Sequence, residues 1–321
     1  MFNYYPTPLP DEHLASVVYR AFLLTYYKEI EHHIKVRHKQ SFFDTPINCW
    51  VPAYESLFCH FSGLESVDTL LKRHSNVMDY GMWAAKANNT KTLADSLESL
   101  STMNWKLSLY VATDRGWRYC PECANEEVKQ HGTSYWHASH QRYYQRTCPK
   151  HNTLLIYYTS AKFSLPPIGE SSIPASTQEI EVDRLLAKIV CTLRQLPHRE
   201  QKKRLICALK QKLNVAKNMT RHSHNGRRLS QLHTKFSEAI NTPEILPFFT
   251  FDKAISMLPP LTSMTGIYHM LNKNNQMHPM WYLMLIYAFL DEEDMLIAFD
   301  STTDWDDFRW EVEANMMPIS A

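Results

Sequence analysis

Cys120-Pro121-Glu122-Cys123 and, beyond 24 intervening residues, Cys148-Pro149-Lys150-His151 decide how this chain is read. Zinc takes four thiolate or imidazole ligands in a tetrahedron, and a two-residue gap lets one tight turn aim both of its ligands at a single ion. Pro121 and Pro149 each follow the first ligand of a pair and stiffen both turns. Cys120, Cys123, Cys148 and His151 therefore form a candidate structural zinc site in a small zinc-finger or ribbon module. His137 and His140 lie between the pairs and are rival ligands on spacing; chance among 7 cysteines and 16 histidines is the other alternative. Cys49, Cys59, Cys191 and Cys207 are isolated and are expected to be buried small hydrophobes.

Catalytic zinc needs an open coordination position and a general base. Deaminases supply the base through a His-x-Glu placed before a Pro-Cys-x-x-Cys run, whereas the His-x-Glu here, His198-Arg199-Glu200, follows the cysteines. No His-Glu-x-x-His, Gly-x-Ser-x-Gly or Walker-type Gly-Lys-Ser/Thr occurs. The expectation is a non-catalytic protein whose metal orders the local chain, with a zinc-dependent nucleic-acid enzyme as a distant alternative.

Outward from the cysteines the pattern is mainly α. Residues 1–112 form an N-terminal helical region, with helices expected near 11–34, 50–60, 65–75 and 92–102. Pro6, Pro8 and Pro10 set an extended entry, Asp11 and Glu12 fall where a first helical turn favours negative charge, and Leu14, Val17, Val18, Phe22 and Leu23 recur at helical spacing. Those two acids serve either as caps or as partner contacts. The zinc module covers 113–158, and a linker follows over 159–178 with Pro166, Pro167, Gly169 and Pro174. Residues 179–321 are helical again, with breaks at Pro197, at His224-Asn225-Gly226 and at Pro259-Pro260, which suits a helix-turn-helix-like bundle.

A net charge of +1 over 321 residues conceals a separation of sign within that C-terminal region. Arg194, Arg199, Lys202, Lys203, Arg204, Lys210, Lys212, Lys217, Arg221, Arg227, Arg228 and Lys235 face one acid, Glu200. Such a run gains affinity for double-stranded DNA by releasing counterions, so it is a candidate phosphate-binding surface; a solvated helix face or an acidic partner are the alternatives. His222, His224, Asn225 and Gln231 sit within reach of it in sequence. Asp291, Glu292, Glu293, Asp294, Asp300, Asp304, Asp306, Asp307, Glu311 and Glu313 then face only Arg309, a stretch expected to stay solvated or to meet a basic surface. Trp305, Phe308 and Trp310 stand among those acids and can dock on a partner or on the chain's own core. Met280 to Leu290 is the longest apolar run, at 11 residues against the roughly 20 of a membrane helix, and no basic-then-apolar leader opens the chain. A soluble, cytoplasmic protein without membrane contact is expected, in a compartment reducing enough to keep the cysteines as thiols.

The residues around the ligands carry a resemblance. Arg118-Tyr119-Cys120-Pro121-Glu122-Cys123, Tyr135-Trp136-His137, His140-Gln141, and Cys148-Pro149-Lys150-His151 with Leu154 and Leu155 resemble the zinc-finger segment of the TniQ/TnsD family, the target-selection proteins of Tn7-like transposons. Pro6-Thr7-Pro8-Leu9-Pro10-Asp11-Glu12 with Leu14, Ser16 and Arg20 is similar to the family's opening, and His278-Pro279 to a helix start of TnsD-like members. The likeness is close over 4–158 and loose over about 225–300. It implies an adaptor that marks an insertion site, by its own DNA contacts or through an RNA-guided CRISPR Cascade complex, and recruits the AAA+ ATPase regulator TnsC. The matching N-terminal segment commonly engages that ATPase, which singles out Asp11, Glu12, Ser16 and Arg20. Long TnsD-type members carry further DNA-binding helices and some TniQ proteins a second zinc knuckle, whereas no cysteine pair follows Cys148 here. The acidic end favours a natural stop or a domain boundary.

Overall fold

A computed structural model describes residues 6–24, 69, 73–75, 117–158, 164–194, 198–213, 226–243, 245–246, 267, 271, 279–291 and 293–295. Most of the helices expected between 25 and 112, together with Lys217, Arg221 and the acids beyond 295, lie outside these residues. Helix dominates what is described: α1 Leu14–Leu24, α2 Pro121–His131, α3 Thr177–Arg194, α4 His198–Lys212, α5 Gly226–Ile240 and α6 Pro279–Phe289, with a single 3-10 turn at Ser139–Gln141. Two strands, β1 Trp117–Tyr119 and β2 Ile156–Tyr158, pair antiparallel with Trp117 opposite Tyr158. The chain divides into two compact units, 1–81 with 90–183 and 82–89 with 184–321.

The first unit holds the cysteines. Two three-residue strands cannot stand alone in water, since isolated hairpins are marginal. Aromatic packing supplies part of what they lack: Trp117 stacks on Trp136 at 5.1 Å, and Tyr119 meets Trp136 edge-on at 5.9 Å. Trp136 is fully buried, and a ring of that size removes about 150–250 Å² from water. Arg118, on the strand between them, donates from Nη1 to the Gln145 carbonyl (2.9 Å) and from Nη2 to the Gln141 carbonyl (2.8 Å), tying β1 to the loop between the ligand pairs. Gln141 answers by donating Nε2–H to the Arg118 carbonyl at 2.7 Å.

The start of the chain differs from its expected helical cap. Asp11 has φ +56°, the left-handed region that a short polar side chain tolerates, and Glu12 makes an antiparallel bridge with His137. Helix α1 begins only at Leu14, so neither acid lies in its first turn. Leu14, Val17, Val18 and Ala21 are buried at the i, i+3, i+4, i+7 spacing of one helical face.

The stretch 159–178 is no free linker where it is described. Leu154 N–H donates to the Ile173 carbonyl (2.8 Å) and Ala175 N–H to the Asn152 carbonyl (3.0 Å), laying the stretch along the second ligand turn. Trp136 Nε1–H donates to the Ser164 carbonyl (2.7 Å) and Ser134 Oγ–H to the Pro166 carbonyl (2.8 Å). Its last residues start α3: Ser176 Oγ accepts the Glu179 amide at 3.2 Å and Glu179 Oε2 accepts the Ser176 amide at 2.9 Å, a reciprocal capping box.

In the second unit the helices are amphipathic in different degrees. Leu232, Phe236 and Ile240 give α5 one buried stripe, whereas Tyr282 to Ile286 of α6 are all buried. Helix α6 packs against α4 and α5, with Phe236 stacked on Phe289 at 6.1 Å. It begins at Pro279, whose fixed φ and missing N–H suit a first helical turn. The breaks expected at Pro197, at His224-Asn225 and at Pro259-Pro260 lie outside the described residues. No described helix is long and apolar enough to cross a membrane.

Candidate metal centre

Both ligand pairs sit on turns that the local sequence dictates. Cys120 is the N-cap of α2, with extended backbone at φ −100°, and Pro121 occupies the first turn, where its absent N–H costs nothing. Ala124 N–H donates to the Cys120 carbonyl at 3.1 Å, closing the turn that brings Cys123 back beside Cys120. At its other end α2 stops on Gly132, whose φ of +74° is open to glycine at no steric cost. The second pair lies on a tight loop in which Asn152 N–H donates to the Cys148 carbonyl (2.8 Å) and Cys148 N–H to the Thr153 carbonyl (2.7 Å). Asn152 takes φ +54° to complete it.

The four side chains converge. Cys120 Sγ, Cys123 Sγ, Cys148 Sγ and a His151 ring nitrogen all lie within 4.8 Å of one another. His151 Nδ1 is 3.4 Å from Cys120 Sγ, 3.4 Å from Cys123 Sγ and 3.6 Å from Cys148 Sγ, and Cys123 Sγ is 3.6 Å from Cys148 Sγ. A tetrahedron with zinc–sulfur bonds of ~2.3 Å and a zinc–nitrogen bond of ~2.0 Å has edges of about 3.8 Å between sulfurs and about 3.5 Å between sulfur and nitrogen. The observed separations match those edges. The three cysteines are 0–4% exposed, so the set is closed to solvent.

Hydrogen bonds from Cys123 and Cys148 hold the Cys120 thiol well below its ordinary range, while Cys120 pushes Cys123 up and raises Cys148 to about 11. Zinc takes its cysteine ligands as thiolates, and a bound cation would supply the charge that stabilises three of them together.

Residues beyond the ligands orient them. His151 Nε2 faces Glu126 Oε1 at 3.2 Å, so a carboxylate fixes the tautomer that presents Nδ1 to the sulfurs. Lys150 pairs with the other oxygen of Glu126 and, before His151, holds its carboxyl below the usual range. Thr153 Oγ1 lies 3.3 Å from Cys120 Sγ, in place to donate to a thiolate. Asp183 of α3 accepts from the Thr147 amide (2.5 Å) and the Arg146 amide (3.1 Å), pinning the chain that enters Cys148; burial pushes its carboxyl up to about 6 against those donors. Glu126 and Thr153 were open to sequence reading only as neighbours of ligands, Asp183 not at all.

Of the rival ligands, neither His137 nor His140 belongs to the set of four, but His137 comes close to one of its members. His137 is held between two carboxylates, with Nε2 paired to Glu127 and Nδ1 3.2 Å from Asp11 Oδ2. Burial alone would lower its pKa, but Asp11 and Glu127 override it and lift the ring to about 9. His140, fully buried with its ring 4.5 Å from that of His137, is pushed down to about 3 by desolvation first and the charge of His137 second. Glu127 and His137 also come within 4.8 Å of Cys123 as a second group of potential ligands.

Glu12, Ser16 and Arg20 face inward. Glu12 is fully buried and accepts Arg20 Nε (2.8 Å) and Nη2 (2.6 Å); Ser16 is fully buried and its Oγ accepts the Trp136 amide at 3.1 Å. Asp11, 37% exposed at its side chain, accepts Ser139 Oγ–H and the Ser139 amide. On α4, Arg204 and Lys210 are buried, and Lys212 pairs with Asp294 (2.6 Å) and Asp291 (3.3 Å). Part of the acidic run thus pairs with the basic run at the surface. Arg199, Lys202 and Lys203 lie on α4 and Arg227 and Arg228 on α5, their side chains outside the described set. Cys191 of α3 is exposed and Cys207 of α4 half-buried, so neither is the buried hydrophobe expected of it.

No family model matches the chain, and no curated protein matches it.

Proposed function

We propose that this protein is a non-catalytic transposition target-selection adaptor of the TniQ/TnsD kind, working in the cytoplasm with structural zinc on Cys120, Cys123, Cys148 and His151. It bears on target-site DNA through the basic α4 and α5 region and recruits the AAA+ regulator TnsC, and so the transposase. The observation that carries the reading is the closed Cys3His set, in which four protein ligands leave no coordination position for water or substrate. The residues that flank those ligands are the ones that carry the family resemblance, and they are spent on structure: Trp136 in the aromatic cluster, Arg118 and Gln141 in the tie between β1 and the loop.

A second reading, an adaptor that borrows its specificity from an RNA-guided CRISPR Cascade complex, is favoured by one observation. Arg204 and Lys210 are buried and Lys212 is paired with acids, which removes three cations from a phosphate-binding face. Selection of a random duplex library by the purified, zinc-loaded chain, washed at physiological salt, separates the two. A recovered motif supports autonomous site reading. Salt-sensitive binding without a motif supports the effector-dependent adaptor, and no DNA binding at any salt, with no association with TnsC, overturns both.

A further inference from the structure

The loop between the two ligand pairs is the docking surface for the start of the chain. His13 N–H donates to the Trp136 carbonyl (2.6 Å), Ala138 N–H to the Asp11 carbonyl (2.7 Å) and Tyr135 Oη–H to the Pro10 carbonyl (3.1 Å). His13 also meets the Trp117 ring edge-on at 5.1 Å. The loop in turn hangs on α2: Glu127 accepts the Tyr135 amide at 3.2 Å and the His137 Nε2–H, and His137 reaches Asp11. Glu127 stands one helical turn beyond the ligand Cys123, on the helix that Cys120 caps. A chain of direct contacts therefore runs from the sulfurs through α2 and His137 to residue 11.

We infer that metal loading of the Cys3His cluster is what holds residues 6–24 on this module, so that loss of the ion frees the N-terminal segment. This rests on the cluster holding an ion. Without one, residues 117–158 keep two three-residue strands and one 11-residue helix, and helices or hairpins of that size are marginal by themselves. A loop that is not fixed cannot offer Trp136, Ala138 and Ser139 in the register that Asp11 to Ser16 require. Metal occupancy then controls whether Glu12, Ser16 and Arg20 are internal or available and whether Asp11 is tied to the loop, on the same segment that the resemblance assigns to the ATPase.

The test is hydrogen exchange on the full chain as Zn2+ is withdrawn with a chelator and restored, with metal content measured in parallel. One Zn2+ per chain, with 6–24 and 117–158 losing at least about tenfold protection together and regaining it on reloading, is the expected result. Uptake of one Zn2+ with 6–24 unchanged on its removal overturns the coupling and leaves the metal centre standing. No uptake of Zn2+ removes the metal centre and the coupling with it. Glu127→Ala tests the route at a residue outside the Cys3His four: one Zn2+ per chain should stay bound while 6–24 loses protection and 117–131 keeps it. Unchanged protection of 6–24 in that variant refutes the route through Glu127 and His137.

Discussion

Replacing Glu12 by Ala asks whether the opening segment is built for a partner or for its own fold. The carboxylate is fully buried and carries three hydrogen bonds: Arg20 Nε at 2.8 Å, Arg20 Nη2 at 2.6 Å and the Leu9 amide at 2.8 Å. Arg20, 14% exposed at its side chain, also donates to the Thr7 carbonyl at 2.8 Å. In the variant the guanidinium keeps, among the described residues, only that carbonyl, and the Leu9 amide keeps nothing. Breaking a buried pair from one side costs about 3–5 kcal/mol, a large share of the roughly 5–15 kcal/mol that a domain has. Arg20→Ala should cost a similar amount by stranding the carboxylate, and the double variant should fall short of the sum by about 0.5–3 kcal/mol because the partners are lost together. Native-state hydrogen exchange of the α1 amides reads all three variants on the metal-loaded chain. A surface contact would behave otherwise, leaving protection within about 0.5 kcal/mol of the parent and weakening only partner binding. That result for Glu12→Ala would refute the inward assignment.

Metal loading should release protons. Zinc takes thiols as thiolates, so titration of Zn2+ at pH 7 in buffers of different ionisation enthalpy should report protons displaced on loading, and none displaced would mean that the thiols are not the ligands. Cys148→Ser should abolish stoichiometric uptake and lower the protection of 117–158; full protection without metal would count against a structural ion. The His137 ion pairs should respond to alkali: its folded value of about 9 lies above the ordinary 6.5, so its stabilisation is whole below pH 6.5 and is lost as pH rises through about 9. His137→Gln should flatten that dependence of 6–24 protection between pH 7 and 10, and a slope unchanged from the parent would exclude His137 as its source.

How much of this was legible follows from how far apart the interacting residues are. Cys120 with Cys123, and Cys148 with His151, could be read because each pair is local: two intervening residues and a proline leave few ways to aim the ligands. The helix that starts at Pro279 was anticipated through the resemblance, from His278-Pro279 ahead of an apolar run. Asp11 and Glu12 were misplaced for the opposite reason. A Pro-rich entry, two acids and an apolar stripe look like a helix cap, and only contacts with residues 137–139 reveal that Asp11 turns left-handed and Glu12 pairs as a strand. The contacts of the described part of the 159–178 stretch were hidden for the same reason. Proline and glycine mark it as non-helical, but its carbonyls serve as acceptors for Trp136 and Ser134, which no local pattern encodes.

Charge runs are the weakest of these signals, because like residues in sequence need not share a surface. If all ten candidate cations, Arg199, Lys202, Lys203, Arg204, Lys210, Lys212, Lys217, Arg221, Arg227 and Arg228, met phosphates, the logarithm of DNA affinity would fall against log salt with a slope of about −9. Withdrawing Arg204 and Lys210 as buried and Lys212 as paired with Asp291 and Asp294 leaves a slope no steeper than about −6. Asp294→Asn with Asp291→Asn should free Lys212 and steepen the slope by about one unit, since the exposed pair itself is worth no more than about 1 kcal/mol to the fold. Lys202→Ala with Lys203→Ala should flatten it by about two. A slope indifferent to both pairs of substitutions would assign the basic run to a protein partner, and with it the choice of site to something other than this chain.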